Sequence, residues 1–408
     1  MIRQRHINSQ IIKHIPDKRH TIITGARQVG KTSVLKWLFQ KLSQESNQVW
    51  YLTFEDHRIL DSVNSHPVKI FDHIPVTPPL SMQQTLEQPI FLLIDEVQYA
   101  QDPTHFLKYI YDQYEGNVKI IATGSSAFYI DRNFTDSLAG RKRIFNLSSL
   151  SLEEYIEFHD RPDLMAEISA LREKPDYISP QQNTIRKFFF EYLTFGGYPA
   201  VALEKDFNEK KFLLEELKNA YVKRDIYEAD IKMENRFFLL FQLLADQTGE
   251  LINKNELAST VQIDHGTIDY YLYTLEKCYH IHRVKPFFRN LRKELTKMPK
   301  LYFNDLGMRN ILLNRFDGPE LRSDKGQLLE NYFFLRLKQK YDPDQIRFWR
   351  TTDQKEVDFV VEEQFGEGKA IEIKWLEKSF DPKKYNKFTE TYPFFDLSCL
   401  DSTQFLFR

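Results

Sequence analysis

Cysteine is nearly missing from this 408-residue chain. The two present, Cys278 and Cys399, stand far apart and neither belongs to a CxxC pair, which leaves no basis for a disulfide framework or a zinc knuckle. Both are expected as buried thiols. Long apolar runs are missing too: the best, such as 89–94, meet charge well short of the ~20 residues that cross a bilayer, so no membrane partner is expected. Residues 1–12 carry Arg3, Arg5 and His6 but no apolar core of a secretory signal, so the cytoplasm is the expected compartment. With 14 glycines the chain is not collagen-like, and 42% hydrophobic with 28% charged residues excludes wholesale disorder.

Net charge of one sign is also lacking. Lys plus Arg number 56 against 58 Asp plus Glu, a balance of −2, so the whole chain does not call for a polyanion. Locally the balance differs. Between Arg283 and Lys300 stand seven basic residues (Arg283, Lys285, Arg289, Arg292, Lys293, Lys297, Lys300) and one acid, Glu294. That stretch predicts a surface for phosphate contacts.

At ~150 residues per domain the length predicts two or three domains rather than one. Short apolar runs alternate with amphipathic stretches over residues 1–150, the pattern of a parallel sheet covered by helices. Strands are expected at 21–24, 49–53, 90–94, 119–123 and 143–147, with helices starting near Lys31, Pro103 and Asp131. Over 151–245 helical patterns take over, giving a lid and linker. Residues 246–314 read as a winged helix: a helix over 254–260, a second over 266–279 capped by Asp264, then a basic hairpin with strands at 280–285 and 300–303. Residues 315–408 read as a small α/β domain.

The strongest motif is Gly25-Ala26-Arg27-Gln28-Val29-Gly30-Lys31-Thr32, a GxxxxGK[ST] loop between an apolar strand and a helix, with Ser33 continuing the helix. Its glycines let backbone N–H groups curl around phosphate oxygens, Lys31 neutralises β/γ-phosphate charge and the Thr32 hydroxyl ligates Mg²⁺. ATP and Mg²⁺ are therefore the expected ligands. A second apolar strand ends in Asp95-Glu96, where Asp95 would hold Mg²⁺ and Glu96 would deprotonate the attacking water. Thr123-Gly124-Ser125-Ser126 follows a third strand, and Ser125 is the expected polar contact to the γ-phosphate, set against a plain Gly-Ser turn.

Together with TGSSA at Thr123, LAGR at Leu138, LSSLSLEEY at Leu147, GGYP at Gly196, YVKRDI at Tyr221, YFNDLG at Tyr302 and EVDFV at Glu356, these motifs resemble bacterial and archaeal AAA+-like ATPases that carry a winged helix and a C-terminal restriction-endonuclease-like domain. The resemblance covers nearly the whole chain. It implies an α/β fold: a P-loop AAA+-like parallel-sheet domain with a helical lid, a winged helix and a restriction-endonuclease-like α/β domain. It also implies that Arg141 acts as an arginine finger on a neighbouring subunit, with an ordinary basic turn as the alternative.

Asp358, with Glu372 and Lys374 two residues apart on one strand face, matches the D…ExK arrangement of PD-(D/E)xK nucleases. Asp358 and Glu372 would bind a metal ion, Lys374 would activate a water, and Glu330 on the preceding helix matches that fold's auxiliary acid. Arg289, Arg292, Lys293 and Lys297 of the hairpin are the expected nucleic-acid contacts. The reading that follows is an ATPase that couples turnover to nucleic-acid binding, with DNA favoured; metal-dependent cleavage is a separate claim that the acids and lysine leave open. Its alternative is an ATP-driven switch on a protein partner, with a non-catalytic nuclease-like scaffold. A homo-oligomer is the further partner.

Overall fold

The computed structural model describes residues 2–46, 48–124, 138–173, 177–289, 294 and 297–406. These form two compact units, one of residues 1–149 with 277–279, the other of 150–276 with 280–408.

In the first unit, α1 (Ile7–His14) leads into β1 (His20–Thr24), followed by α2 (Lys31–Leu42), β2 (Val49–Thr53), α3 (His57–Ser65), β3 (Ile90–Asp95), α4 (Pro103–Tyr114), β4 (Val118–Gly124) and β5 (Lys142–Asn146). The five strands pair in parallel in the order β2-β3-β4-β1-β5. Every residue of β1, β3 and β4 is buried. A parallel sheet is covered on both faces, so these strands are rich in apolar residues and even His20, Thr21 and Lys119 within them are buried. Ile22, Leu92, Ile94, Ile120 and Ala122 form a core with Phe106, Leu107 and Ile110 of α4. The carboxyl ends of β1, β3 and β4 lie side by side, the edge at which open α/β sheets bind ligands. The helix expected near Asp131 lies outside the described residues.

The second unit opens with α5 (Leu152–Phe158), started by a reciprocal capping box between Ser151 and Glu154. Then come α6 (Pro162–Glu173), α7 (Gln182–Phe195), α8 (Pro199–Leu203), α9 (Phe207–Glu228), α10 (Glu234–Asp246), α11 (Lys254–Val261), α12 (His265–Lys277), β6 (Ile281–Pro286), β7 (Lys300–Phe303), α13 (Leu306–Leu313), α14 (Lys325–Leu337), β8 (Ile346–Arg350), β9 (Glu356–Gln364), β10 (Glu367–Ile373), α15 (Asn386–Thr391) and β11 (Phe395–Leu400). As expected from the sequence, Asp264 accepts the Thr267 N–H at the start of α12. The aromatic stretch 188–195 is core: Phe189 stacks on Phe405 with centroids 4.3 Å apart.

The boundaries expected at 245/246 and 314/315 are crossed by shared structure. One six-stranded sheet runs β11-β10-β9-β8-β6-β7, because β6 pairs in parallel with β8 through Lys285↔Arg347 and Pro286↔Phe348. The basic hairpin is therefore part of a larger sheet, with one strand inside it, and not a free wing. A second tie joins two motifs that have no meaning when read separately. Gly196, at φ 72°, would set a Cβ 2.2 Å from Asp305 Oδ1, and the N–H of Gly197 donates to Asp305 Oδ2 at 2.8 Å. Asp305 also caps α13 by accepting the Met308 N–H. The GGYP and YFNDLG segments are thus two halves of one helix-to-helix clasp.

Of the two cysteines, Cys278 is buried as expected, whereas Cys399 is half-buried because it lies on β11, paired on one side only. Among the described residues no helix is long and apolar enough to cross a membrane.

Candidate functional site

After Thr24 the first unit's chain folds back through Gly25–Gly30 before α2 starts at Lys31. Positive φ at Gly25 (150°), Gln28 (54°) and Gly30 (100°) reverses the backbone repeatedly, turning successive N–H groups into one concavity that suits an anion. The N-terminus of α2 adds partial positive charge. A Cβ at Gly25 would stand 2.1 Å from the Leu147 carbonyl oxygen, so the loop tolerates only glycine there. Lys31 is buried, and its Nζ donates to the carbonyls of Gly25 (3.0 Å) and Ala26 (2.8 Å), which holds the ammonium inside the curve. Ser33 is exposed on the first turn of α2, and Arg27 is half-buried in the loop.

Asp95 collects three hydroxyls. Thr32 Oγ1 lies 2.9 Å from its Oδ2, Tyr51 Oη donates to the same oxygen at 2.9 Å, and Thr123 Oγ1 donates to Oδ1. Burial and the Asp95 charge push the Tyr51 phenol well above its ordinary range. The next residue, Glu96, adopts a left-handed φ of 59°, which turns its side chain off the strand line. Its N–H donates to Thr123 Oγ1 at 3.0 Å, and its Oε2 accepts from the Gln98 amide. Thr32, Asp95, Thr123 and Glu96 therefore form one continuous hydrogen-bonded chain from the first turn of α2 across the ends of β3 and β4.

Residues 17–156 match the family model described as an AAA domain. The first unit is a P-loop ATPase of the AAA type. Two further models match parts of the second unit, domains of unknown function DUF8612 over 186–318 and DUF4143 over 325–401. Uncharacterized protein MJ1637 of Methanocaldococcus jannaschii is 27% identical over 353 residues, 82% of this chain and 72% of the relative. MJ1544 of the same organism is 27% identical over 399 residues, 93% and 81% of the two chains. An uncharacterized protein of Haemophilus influenzae is 23% identical, covering 93% and 87%. Among solved structures, the Walker-type ATPase PABY2304 of Pyrococcus abyssi is similar at a TM-score of 0.49 and 14% identity, over 77% of this chain and 96% of that one.

Several residues of the ATPase site were not singled out from sequence. Arg5 is one: buried, it donates from Nη1 to the Val29 carbonyl (2.7 Å) and from Nη2 to the Ser148 carbonyl (2.9 Å), bracing the phosphate loop. Tyr51 and Gln98 are others; only Gln98 carried a signal, standing two residues past Glu96. Thr123, expected as a neighbour of the γ-phosphate contact, is the hydroxyl that bridges Asp95 and Glu96. Ser125 lies outside the described residues. Arg141 is not in its own subunit's site. It precedes β5 at the amino end of the parallel sheet, where its carbonyl accepts from His20 (2.8 Å) and its Nε donates to Asp112 Oδ1 (2.6 Å). The phosphate loop is at the other end.

In the second unit the antiparallel pairing of β9 and β10 sets Phe359 opposite Ile371, which brings Asp358 and Glu372 to one place, as the spacing predicts. Asp358 Oδ2 accepts the Ile373 N–H at 2.8 Å, and Lys374 Nζ bonds Glu372 Oε1. Glu330 of α14 joins them, but through a residue that sequence reasoning assigned to the basic surface. Lys300, at the start of β7, is 2% exposed. Its Nζ lies 2.9 Å from Glu330 Oε1, 2.5 Å from Glu356 Oε1 and 3.6 Å from Asp358 Oδ1. Burial works against the ammonium, but the surrounding carboxylates hold it protonated. Burial lifts Glu330 up to about 8 against Lys300, and lifts Glu372 up to about 7 with help from Asp358.

The expected cationic surface is correspondingly smaller. Arg283 is paired with Glu276, and the Arg289 guanidinium lies 5.6 Å from the centroid of the Tyr392 ring. Arg292 and Lys293 lie outside the described residues. Lys297 lines a groove of about 600 Å³ with Lys254, Arg283 and Lys285 facing Glu276, Glu294 and Asp344. On α12, Asp269 pairs with Lys254, and the Tyr270 hydroxyl donates to the Ala229 carbonyl.

Proposed function

We propose that ATP held on the phosphate loop is hydrolysed with Glu96 as general base, and that turnover drives engagement of a nucleic acid, DNA first, by the second unit. The observation carrying the first part is the chain Thr32–Asp95–Thr123–Glu96. It fixes the Glu96 backbone beside the loop through its N–H on Thr123, while Gln98 holds the carboxylate that would take the proton. Thr32 and Asp95 supply the oxygen donors that suit Mg²⁺, which would neutralise charge on the phosphate oxygens. Lys31 neutralises phosphate charge from within the loop, and the backbone N–H groups orient the phosphates.

For the second part, α11, α12 and the β6–β7 hairpin follow the order of a winged helix, and α14 with β8–β11 that of a restriction-endonuclease-like fold. Lys285 and Lys297 line the groove, and among the described residues neither has a carboxylate partner. They would contact the sugar-phosphate backbone without reading bases. Duplex DNA is expected to raise the ATP turnover rate severalfold. Lys285→Glu with Lys297→Glu should abolish that rise, and the apparent affinity should fall steeply with salt, with a log–log slope of about −0.9 per phosphate contact. Turnover unmoved by single- or double-stranded DNA or RNA would sink this reading.

One observation favours a second reading. The pairs Lys254–Asp269 and Arg283–Glu276, with Glu294 and Asp344 in the same groove, bring it close to neutral. A near-neutral groove suits an ATP-driven switch on a protein partner. Arg141, at the far end of the sheet from its own loop, would serve only the nucleotide of a neighbouring copy. If it does, hydrolysis per subunit should climb with protein concentration in wild type and stay flat in Arg141→Ala.

A further inference from the structure

The acids Glu330, Asp358 and Glu372, set beside Lys374, match in type those expected of a metal-dependent nuclease, and the residues around them decide whether a divalent cation fits. An Mg²⁺ ion needs several oxygen donors converging at about 2.0–2.1 Å in near-octahedral geometry. Among the described residues no group of three or more His, Cys, Asp or Glu side chains converges in that way. The reason is visible atom by atom. Glu330 Oε1 accepts from Lys300 and from the Tyr302 hydroxyl, both at hydrogen-bonding distance. Glu356 gives one oxygen to Lys300 and the other to Arg350 at 2.9 Å. Asp358 has one oxygen on the Ile373 N–H and the other facing Lys300. Glu372 Oε1 holds Lys374, which leaves Glu372 Oε2 as a buried oxygen with no hydrogen-bond partner. With Glu330 Oε2, which bonds neither Lys300 nor Tyr302, at most two carboxylate oxygens remain unengaged, too few for the near-octahedral shell that Mg²⁺ needs.

We propose that Lys300 is the built-in cation of this cluster: its ammonium occupies the centre among Glu330, Glu356 and Asp358 that a divalent ion would take, so the C-terminal domain does not bind a metal there and does not cut. The lysine is well suited to the place. Its stem is buried on β7, and its Nζ also lies 5.7 Å from the centroid of the Phe348 ring. Lys300, Lys374 and Arg350 set three positive charges against the four carboxylates. Little uncompensated negative charge is therefore left to draw a further cation, and β7 is fixed by its pairing with β6 along four residues. A divalent ion entering the cluster would first have to displace these internal pairings. Here the pairing is intramolecular, and the cluster serves to fasten β7 and α14 to β9 and β10.

The test is Mn²⁺ binding to the full, nucleotide-free chain, read by electron paramagnetic resonance as loss of the free-ion signal. Wild type and Asp358→Asn should bind Mn²⁺ alike, any background coming from elsewhere in the chain. Lys300→Met, which keeps the stem and removes the charge, should gain one site at least tenfold tighter than wild type, and adding Asp358→Asn should remove it. Should Lys300→Met not fold, the comparison of wild type with Asp358→Asn and Glu372→Gln decides alone. A wild-type Mn²⁺ site weakened tenfold or more by either acid substitution overturns the proposal. So does Mn²⁺-dependent nicking of plasmid DNA that vanishes in Lys374→Ala.

Discussion

Glu96→Gln is expected to bind ATP as wild type does and to hydrolyse it about 10²–10⁴-fold more slowly, the contribution usual for a positioned general base. The substitution keeps the side chain's size and one oxygen for the Gln98 amide, so the left-handed backbone at Glu96 and the Thr123 contact have no reason to move. What is lost is the proton acceptor. Nucleotide affinity by fluorescence titration and single-turnover hydrolysis, measured together, separate the two effects. Turnover near the wild-type rate would mean that another group takes the proton. Lys31→Ala is the complementary change. It removes the cation held between the Gly25 and Ala26 carbonyls and should abolish measurable nucleotide binding, so hydrolysis fails at an earlier step.

Asp324→Asn should cost about 3–5 kcal/mol of stability in the second unit, the penalty for breaking a buried charge cluster from one side. Asp324 Oδ2 receives Arg309 at 2.9 Å, Arg322 at 2.7 Å and Arg315 at 3.3 Å. Arg309 and Arg322 are themselves buried, so removing the acid strands two guanidinium charges out of water. Burial lowers even Arg309 to about 10 despite the attraction of Asp324. For Asp324 burial acts upward, but the hydrogen bonds from Arg322 and the charge of Arg309 prevail and hold its carboxyl below the usual range. A carboxyl depressed in the folded state contributes its full stability above its unfolded pKa of about 3.9 and loses it as pH falls toward the folded value. The gap in melting temperature between wild type and Asp324→Asn should therefore be widest above about pH 5 and narrow as the pH drops below about 4. A gap that stays constant down to pH 2 would show that the group's charge does not carry the effect.

The ATPase unit was legible because its signals are local. The central strands β3 and β4 are short, largely apolar runs, and GARQVGKT and LLIDE name their own chemistry within eight residues or fewer. Asp358, Glu372 and Lys374 were legible for the same reason, since alternation along a strand and one tight turn are enough to bring them together. What escaped is what only tertiary structure assembles. Nothing near Lys300 distinguishes it from Lys297, yet one is buried among acids 30 to 58 positions later and the other lines an open groove. Arg5 reads as a basic N-terminal residue and is a brace under the phosphate loop. The pairing of β6 with β8 spans only two residues, one of them Pro286, which in sequence reads as the end of a strand and not as a junction.

That junction bears on how the molecule can be divided. A fragment starting near residue 315, where composition and pattern change, would keep β8 through β11 but leave the β8 edge with unsatisfied backbone groups, open to pairing with another chain. The same cut would take the cation from the midst of Glu330, Glu356 and Asp358, leaving buried carboxylates to repel one another. The natural seam for dissection lies instead near residue 150. A piece carried from there to the C-terminus keeps both the sheet and its counter-charge whole.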